Sequence, residues 1–203
     1  MQYPHPTEEA LVAATASTAL ASEFRSTWLS SSIRALKERE LWDRYLRHVP
    51  PEHRDVIEMH VAGTWLPIDV AHAHYTACDR LGLSATELYD IGREVSDRLH
   101  ATILSVVVRA AKSAGASPWA VLERTPRLWR RIWVGGDIAL YKLGPKEARL
   151  EAYAWPVARY DYIQHGMRGV LHALIEMFCR VAYVRQLPER CAPDKLAYQI
   201  SWA

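Results

Sequence analysis

The chain has 203 residues, of which 50% are hydrophobic and 24% are charged, and its formal net charge is +2. A chain of this length and composition is predicted to form a globular protein with an ample hydrophobic core. A net charge this small does not favour binding to nucleic acid.

A single domain is predicted over residues 7–203, after a loose tail at 1–6 that contains two prolines. Its first part, up to residue 126, is predicted to be mainly helical, because apolar residues recur there at helical spacing. One of these helices is expected over 68–81, where Gly82 supplies the C-terminal cap.

The clearest helix pattern runs from Ser84 to Gly115. Ser84 and Glu87 have the spacing of a capping box, in which each side chain accepts a hydrogen bond from the other residue's backbone N–H. Apolar residues then recur from Leu88 to Ala110 at spacings of three and four. This helix is predicted to be the spine of the core.

Residues 127–203 are predicted to form the sheet part of the protein. A short helix starting at Thr125 should end at the glycine pair 135–136, because glycine terminates helices. Alternating residues over 138–143 and 148–154 flank a compact turn and predict a β-hairpin.

The remaining elements are a long helix over 160–178 and strands over 181–186 and 196–202. Gly166, Gly169 and Ala173 form a small-residue strip that lets this helix approach another element closely. The order of elements excludes alternating βαβ units. It predicts an α+β fold in which an N-terminal helical layer packs on a small, mainly antiparallel C-terminal sheet of about four strands.

The sequence LWRRIWVGGDIALYKLGPKEARLEAYAWP, followed by YDYIQHGMRGVLHALIEMF and a closing YQISW, resembles an uncharacterised family of myxobacterial proteins. More distantly, the order of elements over roughly the last 140 residues is similar to one superfamily. That superfamily joins haem-nitric-oxide-binding domains, sensor domains of the 4-vinyl-reductase type and Bet3-like trafficking subunits. The resemblance implies a small-molecule sensor or an assembly module, often a dimer, with an apolar pocket between the long helix and the sheet.

The cofactor sites of that superfamily do not match this sequence. The haem-binding branch has a histidine ligand on the helix before the first sheet strand and a Tyr-x-Ser-x-Arg motif. Here 126–133 contains Trp129 and no histidine, and 153–157 reads YAWPV. The zinc-binding branch has two cysteines on the last hairpin, but Cys191 has no partner cysteine near 198–200. Conventional haem and zinc sites are therefore not expected, and the cofactor is unknown.

A hydrophobic small molecule is expected to bind between the spine helix and the sheet. The candidate lining residues are apolar or aromatic: Trp129, Trp133, Tyr141, Tyr153, Trp155, Ile103, Val107 and Met167. Eight tryptophans in one small chain are compatible with an aromatic-lined pocket. The alternative for the same residues is ordinary packing in the core and at its edges.

Histidines could supply a cofactor site in another geometry. His72 and His74 are two positions apart and so point to different sides of a helix, which disfavours a shared metal. His60 or His100 could ligate haem in a non-standard way, although a hydrogen-bonded histidine at the core edge is the plainer interpretation. The sequence has no G-x-S-x-G motif and no glycine-rich phosphate loop before a helix, so no enzymatic activity is predicted.

The three cysteines are scattered and do not predict a disulfide framework, and the longest apolar runs are too short to span a bilayer. A reduced, cytoplasmic setting is expected.

The arginine-rich segment 124–131 is interpreted as a solvated helix face. Two main hypotheses stay open: a sensory domain that binds a hydrophobic small molecule, and an interaction module that forms a homodimer or binds a partner protein.

Overall fold

The computed structural model describes residues 8–14, 18–100 and 117–203, and for Leu99 and His100 it describes the backbone alone. The predicted tail at 1–6 and residues 101–115 of the predicted spine helix lie outside the described residues. No helix in the described part of the chain is both long enough and apolar enough to cross a membrane.

The helices follow the apolar periodicity of the sequence. Their bounds are α1 (Ser26–Glu38), α2 (Trp42–His48), α3 (Pro51–Met59), α4 (Ile68–Asp79), α5 (Ala85–His100), α6 (Pro118–Leu122), α7 (Thr125–Ile132) and α8 (Asp161–Glu176). Short 3-10 turns lie at Pro156–Arg159 and Pro188–Arg190. The predicted capping box is confirmed at the start of α5, where the Ser84 N–H donates to Glu87 Oε2 at 2.8 Å and the Glu87 N–H donates to Ser84 Oγ at 3.3 Å.

In the described part of the chain, eight strands form two antiparallel sheets. Their bounds are β1 (Glu9–Val12), β2 (Glu23–Arg25), β3 (Trp65–Pro67), β4 (Trp133–Val134), β5 (Asp137–Gly144), β6 (Glu147–Tyr153), β7 (Ala182–Gln186) and β8 (Leu196–Trp202). The predicted hairpin is confirmed as β5 and β6, which pair Leu140 with Leu150. The α+β class is confirmed as well.

The larger sheet has five strands in the order β1-β5-β6-β8-β7, so the prediction of about four strands was wrong by one edge strand. The additional strand is β1, which pairs Ala10 with Tyr141. Its four residues show no alternation of buried and exposed side chains. Residues 9–12 therefore form a strand because they pair with the edge of β5, and not because their own sequence has the alternation of a strand.

The smaller sheet has the order β3-β2-β4, and β2 and β3 lie before residue 126, in a part of the chain whose described elements are mostly helices. Strands of two or three residues are too short to show a period of two. Tertiary contacts hold them: Phe24 in β2 is fully buried and stacks on Trp133 in β4, with ring centroids 5.8 Å apart.

Helices α5 and α8 cross at very short range, as the small-residue strip predicted. A Cβ atom on Gly92 would lie 1.9 Å from the carbonyl oxygen of Gly166, and one on Gly169 would lie 2.0 Å from that of Tyr89. Only glycine allows the backbones to approach this closely. Helix α8 also packs on β7 and β8, and α7 packs on β5, so both helices cover the inner face of the larger sheet.

Candidate ligand cavity

An apolar cavity of about 80 Å³ lies where α7, α8 and the inner face of the larger sheet meet. The described residues that line it are almost all apolar: Trp28, Thr125, Leu128, Trp129, Ile132, Trp133, Ile138, Leu150, Trp155, Met167, Val170, Leu171 and Leu174. The exception is Thr125, whose hydroxyl is already used, because it donates to the carbonyl of Leu122 at 2.6 Å. The cavity therefore offers a hydrophobic surface on nearly every side.

Three of the tryptophans form one aromatic cluster in the cavity wall. Trp129 and Trp133, one helical turn apart, stack with ring centroids 5.8 Å apart. Trp155 meets both of them edge to face, at 5.1 Å from Trp129 and 5.3 Å from Trp133. Edge-to-face pairs at these separations add to the hydrophobic stabilisation of the rings.

The turn between α7 and β5 fixes the position of Trp129. Its indole N–H donates to the carbonyl of Gly135 at 3.0 Å. Gly136 follows with a φ of +62°, and a Cβ there would lie 2.9 Å from the Trp129 ring. Glycine is required at this position both by the left-handed backbone and by the ring against it. The sequence WVGG thus places an aromatic wall against the first strand of the hairpin.

The indole of Trp155 has no hydrogen-bond partner among the described residues. The residue is 1% exposed, and no atom within the described part of the protein accepts a hydrogen bond from its Nε1. Its backbone is held separately, because the Trp155 N–H donates to the carbonyl of Asp194 at 2.8 Å. A buried N–H without an acceptor is energetically costly.

A buried polar network lies behind the cavity, reached through Trp28. The Trp28 indole donates to the hydroxyl of Tyr75 at 2.9 Å. Beside this pair, Tyr45 and Ser32 lie 2.7 and 2.9 Å from the two ring nitrogens of His74. Burial lowers the pKa of His74 to about 3, so its imidazole is neutral at physiological pH.

A second void of about 20 Å³ separates the cavity from this network. Trp28, Met167 and Val170 line both spaces. The far side of the smaller void reaches Ser32 and Tyr162, whose hydroxyls lie 2.5 Å apart. Met167 is thus a flexible side chain between an apolar cavity and a polar pair.

Comparisons with known proteins bear on the fold. No protein-family model matches the sequence, and no curated protein matches it. Among solved structures, the Fe(II) unliganded H-NOX protein from K. algicida superposes with a TM-score of 0.64 at 5% identity, covering 88% of this chain and 96% of that chain. An oxygen-binding H-NOX domain related to soluble guanylate cyclases gives a TM-score of 0.60 at 13% identity, covering 88% and 94%.

The chain has the H-NOX fold. Sequence identities of 5% and 13% establish a shared fold, but they do not establish a shared ligand, cofactor or role. The expected likeness to haem-nitric-oxide-binding domains is therefore confirmed at the level of fold, whereas the resemblance to myxobacterial, 4-vinyl-reductase and Bet3-like proteins stays a prediction.

The cavity in this H-NOX fold does not fit a haem bound in the way the resemblance implies. Cofactor sites occupy several hundred Å³, and this cavity has about 80 Å³. None of its described lining residues is a histidine, cysteine or tyrosine. Helix α7 presents Trp129 to the cavity, where the resemblance would place a histidine ligand.

Four of the eight predicted pocket residues lie in the cavity wall: Trp129, Trp133, Trp155 and Met167. Ile103 and Val107 lie outside the described residues. Whether the four bind a ligand stays a prediction, but their convergence in one wall is a feature of the structure. Trp28 also lies in the wall and was not predicted there. The sequence predicted that Trp28 lies on the apolar face of α1. Its contact with the cavity could not be predicted, because the sheet is distant from α1 in the chain.

Tyr141 and Tyr153 lie on the opposite face of the sheet, so their placement in the pocket was wrong. Strand residues alternate between faces, and Ile138 and Leu150 already occupy the cavity side. Tyr141 instead packs against the guanidinium of Arg149, 4.2 Å from the ring centroid.

The outer face carries a buried ion cluster around Arg149 and Glu151. Their side chains are 5% and 2% exposed, and Arg149 Nε lies 2.6 Å from Glu151 Oε1. Lys195 Nζ lies 2.8 Å from the same carboxylate, and the Tyr153 hydroxyl donates to it. Burial alone would raise the pKa of Glu151, but these hydrogen bonds and positive charges hold it below its usual value.

The candidate histidines are occupied by ordinary hydrogen bonds. His60 contacts Ser30 at 2.7 Å and the Ile57 carbonyl at 2.9 Å, and His72 contacts Tyr160 at 2.9 Å. His74 is enclosed in the network behind the cavity, and the side chain of His100 lies outside the described residues. Across the described chain, no group of three or more metal-binding side chains comes together.

Proposed function

We propose that the protein is a sensory or regulatory domain that binds a small hydrophobic molecule in the tryptophan-walled cavity. The observation that carries this proposal is the cavity itself: about 80 Å³ with almost entirely apolar walls, in a fold shared with ligand-binding H-NOX domains. The proposed role is binding rather than catalysis, because the described wall residues carry no titratable group.

The size of the cavity limits the ligand. Apolar cavities of about 150 Å³ stay dry and take up benzene or xenon. Scaled from that case, about 80 Å³ holds an apolar molecule of roughly three or four heavy atoms. An empty cavity of this volume costs about 2 kcal/mol of stability, which a ligand of matching shape recovers in part.

Xenon is a suitable probe, because it is apolar and has no hydrogen-bonding group. Indole N–H signals of ¹⁵N-tryptophan-labelled protein should shift with xenon pressure at Trp129, Trp133 and Trp155. Trp119 is an internal control, since it lies outside the cavity wall and its indole donates to the carbonyl of Pro145. Val170→Phe, which fills the cavity, should abolish the shifts. Equal small shifts at all indoles, unchanged in Val170→Phe, would contradict the proposal.

A second candidate is a haem-binding gas sensor that uses a histidine in a non-standard position. The fold supports it, since the neighbouring structures include an oxygen-binding H-NOX domain. The small cavity and the absence of histidine among its described wall residues weigh against it. An absorbance scan of protein produced with excess haem separates the two candidates. A Soret band that survives gel filtration would favour the haem sensor.

A third candidate is an interaction module, as a homodimer or with a partner protein. The free edge of β7 supports it, because this strand ends the larger sheet and exposes Tyr183 at 65% and neighbouring Val181 at 41%. Exposed edge strands pair readily with another chain. A strictly monomeric profile in light scattering, with no partner recovered by pull-down, would remove this candidate.

A further inference from the structure

We propose that the free edge of β7 receives an extended, acidic segment of a partner protein, which adds a further strand to the larger sheet. This inference rests on the third candidate function, since it concerns the same edge, and it goes further in naming the chemistry of the partner. It is independent of the ligand proposed for the tryptophan-walled cavity, which shares no described lining residue with this edge.

The first argument concerns the backbone of β7. Just before the strand, Val181 and Ala203 exchange two hydrogen bonds, of 3.4 and 2.9 Å, and just after it the Leu187 N–H donates to β8 at 2.9 Å. Such bonds recur at every second residue of an antiparallel pair, so the odd-numbered residues of β7 bond to β8. Val184 and Gln186 therefore direct their backbone N–H and C=O groups away from the sheet. Unpaired groups in this arrangement are a template for another strand.

The second argument concerns the charge beside this edge. A groove of about 490 Å³ borders β7, and its described lining includes Arg168 and Arg185 but no aspartate or glutamate. Arg185 is exposed on the outer face of the sheet. It donates to the side-chain amide oxygen of Gln199, whose amide nitrogen donates to Glu147. Arg185 itself has no carboxylate partner among the described residues.

Arg168 supplies positive charge on the other side of the edge, because α8 covers the inner face of the sheet. Its guanidinium lies over the ring of Tyr89, 4.8 Å from the centroid, and no described carboxylate pairs with it. Glu176, further along α8, is engaged elsewhere, since it lies 2.8 Å from Arg93 and 3.4 Å from His172. Uncompensated positive charge on both sides of the edge favours an acidic occupant.

The third argument favours a segment of another protein over a second copy of this chain. Pairing two β7 edges would bring Arg168 and Arg185 of both copies into one interface, and the described groove offers no acid to balance them. Like charges placed opposite one another destabilise paired strands. A segment with two adjacent acidic residues fits better, because successive strand residues point to opposite faces and so place one carboxylate beside each arginine.

An acetylated and amidated octapeptide tests this inference. Its two central residues are glutamates, and threonine and valine flank them; the control peptide has glutamines at the centre. Binding would be followed at low salt by NMR titration of the β7 amide signals in the wild-type protein, Arg168→Gln and Arg185→Gln. Because exposed ion pairs are weak, each substitution should reduce the affinity for the glutamate peptide about threefold and leave that for the glutamine peptide unchanged.

Backbone pairing is tested on the unchanged protein with two further peptides, each methylated on the backbone nitrogen of one central glutamate. Only alternate N–H groups of an added strand face β7, so one methylated peptide should bind about tenfold more weakly and the other should bind like the parent. Val184→Pro, which removes an N–H at the free edge, should also weaken binding, and proline is tolerated on edge strands.

Equal affinities of the two methylated peptides, or of the glutamate and glutamine peptides, would overturn the inference. Dimerisation of the protein alone in light scattering, abolished by Val184→Pro, would show that a second copy occupies the edge. That result would also overturn the inference, but it would leave the third candidate function standing. Xenon binding in the cavity is a separate measurement, so the cavity ligand and the partner segment can fail independently.

Discussion

At the scale of single residues, His74 determines how stability should respond to pH. Both ring nitrogens lie within hydrogen-bond distance of buried hydroxyls, on Tyr45 and Ser32. Burial holds the pKa of His74 at about 3, against about 6.5 for histidine in an unfolded chain. Between these values the unfolded state binds a proton that the folded state does not.

Stability is therefore expected to fall as the pH falls from about 6.5 towards about 3, with a His74 contribution approaching 1.4 kcal/mol per pH unit. Urea unfolding at pH 5 and pH 7 measures the slope, which should be smaller in His74→Gln. Because the pKa values of His72 and His172 are also lowered, mainly by burial, they add to the wild-type slope with the same sign. If His74→Gln does not fold, NMR titration of the histidine ring signals in the wild-type protein tests the same expectation. Protonation of the His74 ring between pH 5 and 7 would contradict it.

Residue identity alone did not decide which aromatic side chains face the cavity. Trp129 and Trp133 were predicted as wall residues, and both line the cavity, although Trp133 lies in β4, just after the end of α7. Tyr141 and Tyr153 were assigned to the wrong face of the sheet, since alternation shows that two faces exist but not which one the helices cover. The Arg149–Glu151 pair is buried on the other face, so burial did not mark the cavity side either.

At the scale of elements, the close crossing of α5 and α8 predicts how glycine substitutions change the stability of the protein. Gly92→Ala and Gly169→Ala place a methyl group about 2 Å from a backbone oxygen of the opposite helix, so the helices must separate. Overpacking of this kind costs about 1–3 kcal/mol, and both variants should lower the urea midpoint accordingly.

Gly166→Ala is the matched control on the same interface. A Cβ there would lie 3.8 Å from the Leu88 carbonyl, an ordinary contact, and alanine favours the helix by up to about 1 kcal/mol. This variant should be neutral or slightly stabilising. Equal losses of stability in all three variants would show that the close approach is not what makes glycine necessary.

Long elements were predictable from sequence and short ones were not. Helix α8 and the β5–β6 hairpin carry enough residues for a period of 3.6 or 2 to show, and they lie close to their predicted bounds. Strands β1 to β4 have two to four residues each and depend on partners distant in the chain. Thr125, where the short helix was predicted to start, is the first residue of α7, and its hydroxyl donates to the carbonyl of Leu122.

At the scale of the whole molecule, the described part of an H-NOX fold contains an apolar cavity of about 80 Å³ whose wall includes four tryptophans. The order of elements in the sequence predicted the fold. The cavity-wall residues predicted correctly were Trp129, Trp133, Trp155 and Met167. The cavity volume could not be predicted from the sequence, because it depends on how α7, α8 and the sheet pack together. The central claim is that this space receives a small apolar molecule.

A crystal structure under xenon pressure tests that claim most directly. We expect a xenon peak between Trp129, Trp155 and Met167, and its loss in Val170→Phe crystals treated in the same way. Xenon bound elsewhere, with no density in this cavity at saturating pressure, would contradict the account.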